Sequence, residues 1–385
     1  MAARIPHSIC TMDKIKLRIE TITDASRFFG FRSQWNELLS TRESKSLPLT
    51  HEWVSAWWKN FGGKRKLHIS CVYDDNRLIA IAPFMKEHTT YRGVPITMLS
   101  LMANGHTPYC DVIFDGAVKE QIISDILELL VNANTENIIV FTKLPETSPT
   151  YTCLVANPLA YGYRYGIKDN LVTPIIRMDN SWDEYYKSRS RKFRKSINNK
   201  MNRYTKAPDF TIDREVITSR KQSTLNEIIE VSKHSWKTRI KNDLGSNAPG
   251  REFFFGLVDA FGEDHVVQIW IMRKAGAPVA YEFHLIFDGV VYPLRADYHE
   301  GYKKYSPGSI LEYTALKALF EEQKISAYDS CADNYWYLNN WTDEIRKQFD
   351  IEIFANSAKS FALYAMEYHA IRLIRIVRDK IIPKH

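Results

Sequence analysis

Cysteine is scarce in this chain, and its arrangement is uninformative in a useful way. The five residues, Cys10, Cys71, Cys110, Cys153 and Cys331, are odd in number, scattered and without the short spacings of a metal-ligand set. That excludes a disulfide framework and fits a reducing cytosol. No run is both long enough and uncharged enough to span a bilayer, and Met1 to Lys14 lacks the apolar core of a signal peptide. A soluble, cytoplasmic protein is expected. There is no metal constellation, no Ser-His-Asp order and no P-loop lysine signature. Asp329, Cys331 and Asp333 alternate, but no histidine stands near them to make a Cys-His nucleophile.

What is present is ample for folding. The 385 residues are 45% hydrophobic and 13% aromatic, and that length predicts two domains sharing an interface. A net charge of +7 and a pI near 8.9 favour anionic partners, among them CoA phosphates, nucleic acid, lipid head groups and acidic glycans, without choosing between them.

Along the chain, Ile15 to Glu20 reads as a strand, Trp35 to Leu39 as part of a helix, and His51 to Phe61 as a helix capped by Thr50 and closed by Gly62-Gly63. Trp53, Trp57 and Trp58 recur there at i, i+4 and i+5, the spacing of a core stripe. A hairpin (Leu67 to Tyr73, Arg77 to Phe84), strands near Ile96 to Leu101 and Cys110 to Phe114, a helix from Val118 to Ala133 and a strand from Asn137 to Thr142 follow. The later half repeats this order with a hairpin (His265 to Arg273, Pro278 to Phe287), the strand Val290 to Asp297, a helix from Ile310 to Gln323 and the strand Ala327 to Ser330. The repeat predicts duplication of one α/β unit, with units at 1–175 and 176–360 and a tail at 361–385.

Between the copies, Trp182 to Lys206 reads as one basic amphipathic helix, either a solvated face or a phosphate-binding rim. Leu225 to Trp236 is a further helix, and Asn242 to Gly250 a loop rich in Gly, Asn and Pro that could close over an acceptor. The tail, Phe361 to Ile382, reads as a basic amphipathic helix that either packs on the first unit or contacts a membrane peripherally.

The second copy alone carries a glycine-bearing turn between its strand and its helix. Ser306 suits an N-cap, Pro307 the first helical position and Gly308 a close ligand, while Lys303 and Lys304 precede them. A helix N-terminus of this kind cradles phosphates. The stretch resembles the GNAT acyltransferase superfamily, whose pyrophosphate loop runs Gln/Arg-x-x-Gly-x-Gly/Ala; Lys303 takes the first place, Ser306 replaces the first glycine and Gly308 keeps the second. Ser235-Trp236-Lys237, Gly276 to Ala280, Tyr305 to Gly308 with Leu311, and Trp341 further resemble the CelD-like branch associated with cellulose and exopolysaccharide biosynthesis. In tandem architecture the chain is similar to the Fem-type aminoacyltransferases.

The resemblance implies an α/β fold of tandem GNAT-like domains, each a mixed twisted sheet flanked by helices, with the second domain catalytic. It implies acetyl-CoA or another acyl-CoA as donor, held by Lys303, Lys304, Tyr305, Ser306, Gly308 and Ser309. Glu282 and His284 alternate within the apolar run Val279 to Phe287 and so share one strand face. With Asp297 on the neighbouring strand they are candidate bases, although a structural salt bridge of these acids to Arg295 competes with that reading. Tyr335 or Tyr337 is the candidate acid; Trp236, Lys237, Arg295, Arg191 and Arg194 are candidate acceptor ligands. The expected reaction is acylation of an amino group or hydroxyl on a sugar intermediate of cell-surface polysaccharide. A Fem-like transferase using charged tRNA and a non-catalytic scaffold are the alternatives.

Overall fold

The computed structural model describes residues 16–156, 163–322 and 324–370. Its first half runs β1 (Leu17–Ile22), α1 (Ala25–Gly30), α2 (Arg32–Ser40), α3 (His51–Phe61), β2 (Lys66–Asp74), β3 (Arg77–Tyr91), β4 (Val94–Leu101), β5 (Ile113–Phe114), α4 (Glu120–Asn132), β6 (Ile138–Pro145) and α5 (Pro149–Ala156). The chain then crosses the sheet as β7 (Arg164–Arg177), followed by α6 (Trp182–Ser188), α7 (Arg191–Thr205) and β8 (Phe210–Val216). The second half continues with α8 (Thr224–Lys233), α9 (Ala248–Phe261), β9 (Val267–Lys274), β10 (Ala277–Phe287), β11 (Val290–Tyr298), α10 (Pro307–Phe320), β12 (Ala327–Asp329), β13 (Ile345–Phe354) and α11 (Ala358–Ala365).

All the described strands join one mixed sheet in the order β1-β2-β3-β4-β6-β13-β7-β12-β11-β10-β9-β8, with β5 beside β3. The order is the same pattern from either end. Each half contributes an antiparallel meander ending in a parallel pair, β4 with β6 and β11 with β12. The expected α/β class, a mixed sheet flanked by helices, is the one observed, with the two expected sheets joined into one. The division drawn at 175/176 is a change of partner within β7, from β13 at Pro174 to β12 at Ile175, and not a break in the sheet. β13, from the far end of the second half, completes the first by pairing with β6.

One face of the sheet is buried under α3, α8 and α9 in a core continuous between the halves. Trp53 and Trp57 are buried there, and Trp53 meets Phe253 edge to face at 5.1 Å. The tryptophan stripe is therefore core, and each such side chain contributes roughly 1.5–3 kcal/mol of burial. The opposite face is covered separately, by α4 and α5 in the first half and by α10 with α6 and α7 in the second.

Three expectations change. The basic stretch 182–206 is two helices, because Arg189 and Ser190 are extended and the Ser190 hydroxyl caps α7 by accepting from the Phe193 amide at 3.2 Å. The loop at 242–250 ends early, since Asn247 caps α9, accepting from the Gly250 amide at 3.0 Å, with Pro249 in its first turn. That helix was not anticipated. α11 passes into a wider helical turn at Met366–Ala370 and packs through Leu363 on Ile96 and Ile138 of the first half and on Phe354 of β13; the remainder of the predicted tail helix lies outside the described residues.

Candidate active site

β11 carries a bulge: Phe283 faces Arg295 but His284 faces Pro293, which leaves Leu294 as the extra residue. Bulges bend the strand that bears them. The parallel ladder with β12 has only the pairs Val290 with Ala327 and Val291 with Tyr328. The rest of β11 thus runs on with no described ladder partner on its β12 side. It ends in a 3-10 turn, Glu300–Tyr305, and then Ser306 in the left-handed region at φ 56°. Ser306 occupies the cap position of α10 without a side-chain capping bond, and Pro307 opens the helix as expected. A left-handed serine costs about 1 kcal/mol or more.

The residues assigned to the donor do come together here. Lys303 and Lys304 are exposed, and Lys304 lies over the Tyr305 ring. Lys200, reaching from α7, donates to the Ser309 hydroxyl at 2.9 Å. A Cβ added at Gly308 would meet nothing closer than Tyr298 at 3.7 Å. The backbone therefore does not require glycine; its absent side chain only keeps the front of the turn clear.

Asp297 is not beside Glu282. Register places Tyr281 opposite Asp297 and Glu282 opposite Ala296, so the two acids project from opposite faces of the sheet. The expectation that they share one cleft wall is corrected. On the α8 side, Asp297 Oδ2 accepts from Tyr281 at 2.7 Å, Ser232 at 2.8 Å and Arg295 Nε at 2.9 Å. Lys237 Nζ sits 2.7 Å from Asp297 Oδ1 and donates to the Ala296 carbonyl at 2.8 Å. Arg295 also donates to the Asn242 carbonyl at 2.7 Å, which ties the supposed lid loop down.

Burial alone would raise Asp297, but the Lys237 and Arg295 charges outweigh it and hold the carboxyl below its usual range. Burial lowers Lys237, opposed by Asp297. Trp236, one residue earlier, points outward and is 46% exposed. The first half adds His106 to this face. It stacks on Phe61 at 5.2 Å and meets Phe254, the ring under Arg295. Burial first, then Arg295 and Lys237, push His106 down to about 4.

On the α10 side Glu282 and His284 form a buried pair, His284 Nε2 to Glu282 Oε2 at 2.8 Å, while His284 Nδ1 has no partner among the described residues. Arg295 forms its salt bridge with Asp297, at 2.9 Å, and not with Glu282. A third acid, Glu312 of α10, stands near Glu282 and accepts a hydrogen bond from the Trp341 side chain. Burial and the Glu282 charge raise it to about 8 against the opposing effects of Trp341 and Lys200. Tyr337, pushed up to about 12 by burial and then by Glu312, joins the same group. Tyr335 stacks on Tyr337 at 5.9 Å but is 53% exposed. Of the acceptor arginines, Arg194 donates to the Arg189 carbonyl, and Arg191 is exposed with no ion pair among the described residues.

Two residues escaped sequence reasoning. Glu312 gave the signal that singled out Glu282, an acid in an otherwise apolar run, Ile310 to Ala315. His106 gave none, because its contacts come from elements distant in sequence, Phe61 of α3 and Phe254 of α9. Among the described residues no group of acidic, histidine or cysteine side chains could hold a metal ion.

The site thus combines a helix N-terminus opened by Ser306 and Pro307, a parallel strand pair that separates beside it, and acids on both sheet faces behind it. Residues 191–338 match the family described as Acetyltransferase (GNAT) domain, a span that includes the turn and all three acids. Among solved structures the whole chain is similar to FemX, at 12% identity and a TM-score of 0.54 over 88% of this chain and 98% of that one. It is also similar to the C-terminal domain of a putative lysylphosphatidylglycerol synthetase from Agrobacterium fabrum, at 9% identity and TM-score 0.52, covering 88% and 95% of the two chains. The L-PGS structure from Bacillus licheniformis aligns at 11% identity and TM-score 0.51, over 89% and 95%. At such identities the likeness is one of fold. No curated protein matches in sequence.

Proposed function

We propose that the chain transfers an acyl group from acyl-CoA, with acetyl-CoA as the donor, to an amino group or hydroxyl of a sugar intermediate of cell-surface polysaccharide in the cytoplasm. The observation that carries the donor is the turn itself: Ser306 to Ser309 at the start of α10, with Lys200 on Ser309 and Lys303 and Lys304 at its side. Free amides and the positive helix end there would hold a pyrophosphate. The thioester would then lie along the free edge of β11, its carbonyl polarised by a backbone amide. The sugar rests on the resemblance to the CelD-like branch.

A second reading, a Fem-like transfer from aminoacyl-tRNA, is favoured by α7. Arg191, Lys192, Lys195 and Arg203 have no ion-pair partner among the described residues, and such a cationic helix suits a polyanion. Mass spectrometry of the native protein and calorimetry with acetyl-CoA and with charged tRNA separate the two. Acetyl-CoA binding at micromolar affinity supports the first; tRNA binding without it replaces the first by the second.

A further inference from the structure

The segment between β12 and β13, residues 330–344, is unlike the rest of this basic protein. It contains no lysine or arginine, and it presents Asp333, Asn334, Asn339 and Asp343 around three aromatic rings. Trp336 is 81% exposed, and Tyr335 and Tyr337 are 53% and 44% exposed. These rings are held in place. Leu338 and Trp341 are buried beneath them, and the Trp341 carbonyl accepts from Tyr185 at 2.6 Å and Arg189 at 2.8 Å. Tyr335 and Tyr337 lie parallel within 6°, and Trp336 stands at 86° to Tyr337. Exposed aromatic area of this extent and order marks a binding surface.

The chemistry of the rim narrows the ligand. A sugar ring offers an apolar C–H face to an aromatic ring and hydroxyls to amides and carboxylates, the two groups found here. A polyphosphate backbone would instead meet Asp333 and Asp343, and the cation beside the loop, Arg189, is already engaged by Asp343 at 3.9 Å and the Trp341 carbonyl. Tyr337 feels the charges of Glu312 and Glu282, and His284, bonded to Glu282, keeps a buried Nδ1 with no partner among the described residues. Facing Glu312 from the surrounding elements are Lys200 of α7, Glu282 of β10, Tyr185 of α6, Tyr328 of β12, and Tyr337 and Trp341 of the loop. One lysine against two acids leaves room for a cation.

We propose that this loop and the acids below it bind the acceptor as an amino sugar, the ring against the aromatic platform and the ammonium at Glu312 and Glu282, with Glu312 as the proton acceptor. The assignment rests on the acyl-transfer reading and narrows it to N-acylation. The ammonium gives one proton to the Glu312 carboxylate. The freed amine attacks the thioester carbonyl, the C–N bond forms, the C–S bond breaks, and the second nitrogen proton goes to the departing thiolate, leaving amide, free CoA thiol and protonated Glu312. The arriving ammonium is a positive charge that opposes the burial and the Glu282 charge by which the empty site raises Glu312 to about 8, and so favours the carboxylate that takes the proton.

Calorimetry with three tetrasaccharides, of glucosamine, of N-acetylglucosamine and of glucose, tests this. The glucosamine probe is expected to bind at least tenfold more tightly than the other two. Trp336→Ala, at an exposed position that the fold does not need, is expected to weaken it about threefold to tenfold, the scale of one aromatic contact. Glu312→Gln is expected to erase the preference for the amine and to remove the ionisation near 8 from the pH profile of transfer. Equal binding of the three sugars, absence of binding by all of them, displacement of glucosamine by a single-stranded oligonucleotide, or an unaffected Trp336→Ala would each overturn the assignment. Acetyl-CoA titrated in parallel keeps the two ideas apart. Donor binding without sugar binding sinks only the amino sugar, and sugar binding without donor binding sinks the acyl-CoA reading.

Discussion

The carboxylates of Glu282 and Asp297 belong to adjacent strands and lie on opposite faces of the sheet, because Asp297 pairs in register with Tyr281 and Glu282 with Ala296. Each face therefore has its own acid chemistry. Asp297 is enclosed by Lys237, Arg295, Tyr281 and Ser232, all near enough to bond it. Glu282 shares its face with His284 and Glu312, where positive charge is short. An acid saturated with donors is suited to holding a structure together. An acid beside another acid is suited to moving a proton.

Asp297→Asn should accordingly unfold more easily, with a loss of roughly 3 kcal/mol or more, because it strands two buried cations. Urea denaturation at pH 7 measures this, and an unchanged midpoint would refute the structural role. The pH dependence has a definite sign. Asp297 has a lowered folded pKa, so its contribution is complete above the unfolded carboxyl value of about 4 and disappears as pH falls through the folded one. The variant should lose stability less steeply than the parent on acidification below that value.

Gly308→Asp should abolish acetyl-CoA binding and leave the fold intact. The added Cβ meets Tyr298 only at ordinary contact distance, 3.7 Å, so steric strain is small. The new carboxylate would stand where a pyrophosphate must. Calorimetry with acetyl-CoA, beside a circular dichroism melt, reads both halves of the expectation. Retained affinity in a folded variant removes the turn from the donor site.

Donor affinity should also fall with salt, and the lysines should differ in weight. Lys303 and Lys304 are exposed, and their neutralisation should each weaken acetyl-CoA only about twofold to fivefold, since exposed charges act through a screened field. Lys200→Met should do more, because Lys200 is partly buried and already fixed on Ser309. Neutralising Arg191 and Arg194 should leave acetyl-CoA binding almost unchanged. A larger loss there than at Lys200 would move the phosphates along α7 and revive the tRNA reading.

The hairpins and the repeated strand order were legible because alternating apolar residues and turn residues are local signals. The boundary between α6 and α7 was hidden by the continuous run of basic residues across Arg189 and Ser190. Pro249 and Gly250 made the start of α9 look like loop, although proline in a first turn is compatible with a helix. The turn from Ser306 to Ser309 and the helix it opens were readable since their residues are contiguous. The facing of Asp297 was not, for it depends on the bulge at Leu294 and on the register of β10 with β11, which no single strand encodes. His106 was beyond reach for the same reason on a larger scale.

Glu312 supplies the last expectation, concerning stability. Its carboxyl is raised above the ordinary glutamate value by burial and by Glu282, with Lys200 and Trp341 opposing. A raised folded pKa in an acid means that the folded state holds its proton longer than the unfolded one. Stability is therefore undiminished below the unfolded value of about 4.3 and declines as pH rises from there toward about 8. Glu312→Gln cannot ionise, so it should melt higher than the parent at pH 8 to 9 and much the same at pH 4. Glu282→Gln should act in the same direction but less, because removing the neighbouring charge brings Glu312 back toward its usual range. Melting curves of the three proteins across that interval decide it. If Glu312→Gln melts lower than the parent at pH 9, the carboxylate is stabilised where it sits, and it is not the acid that waits to take a proton.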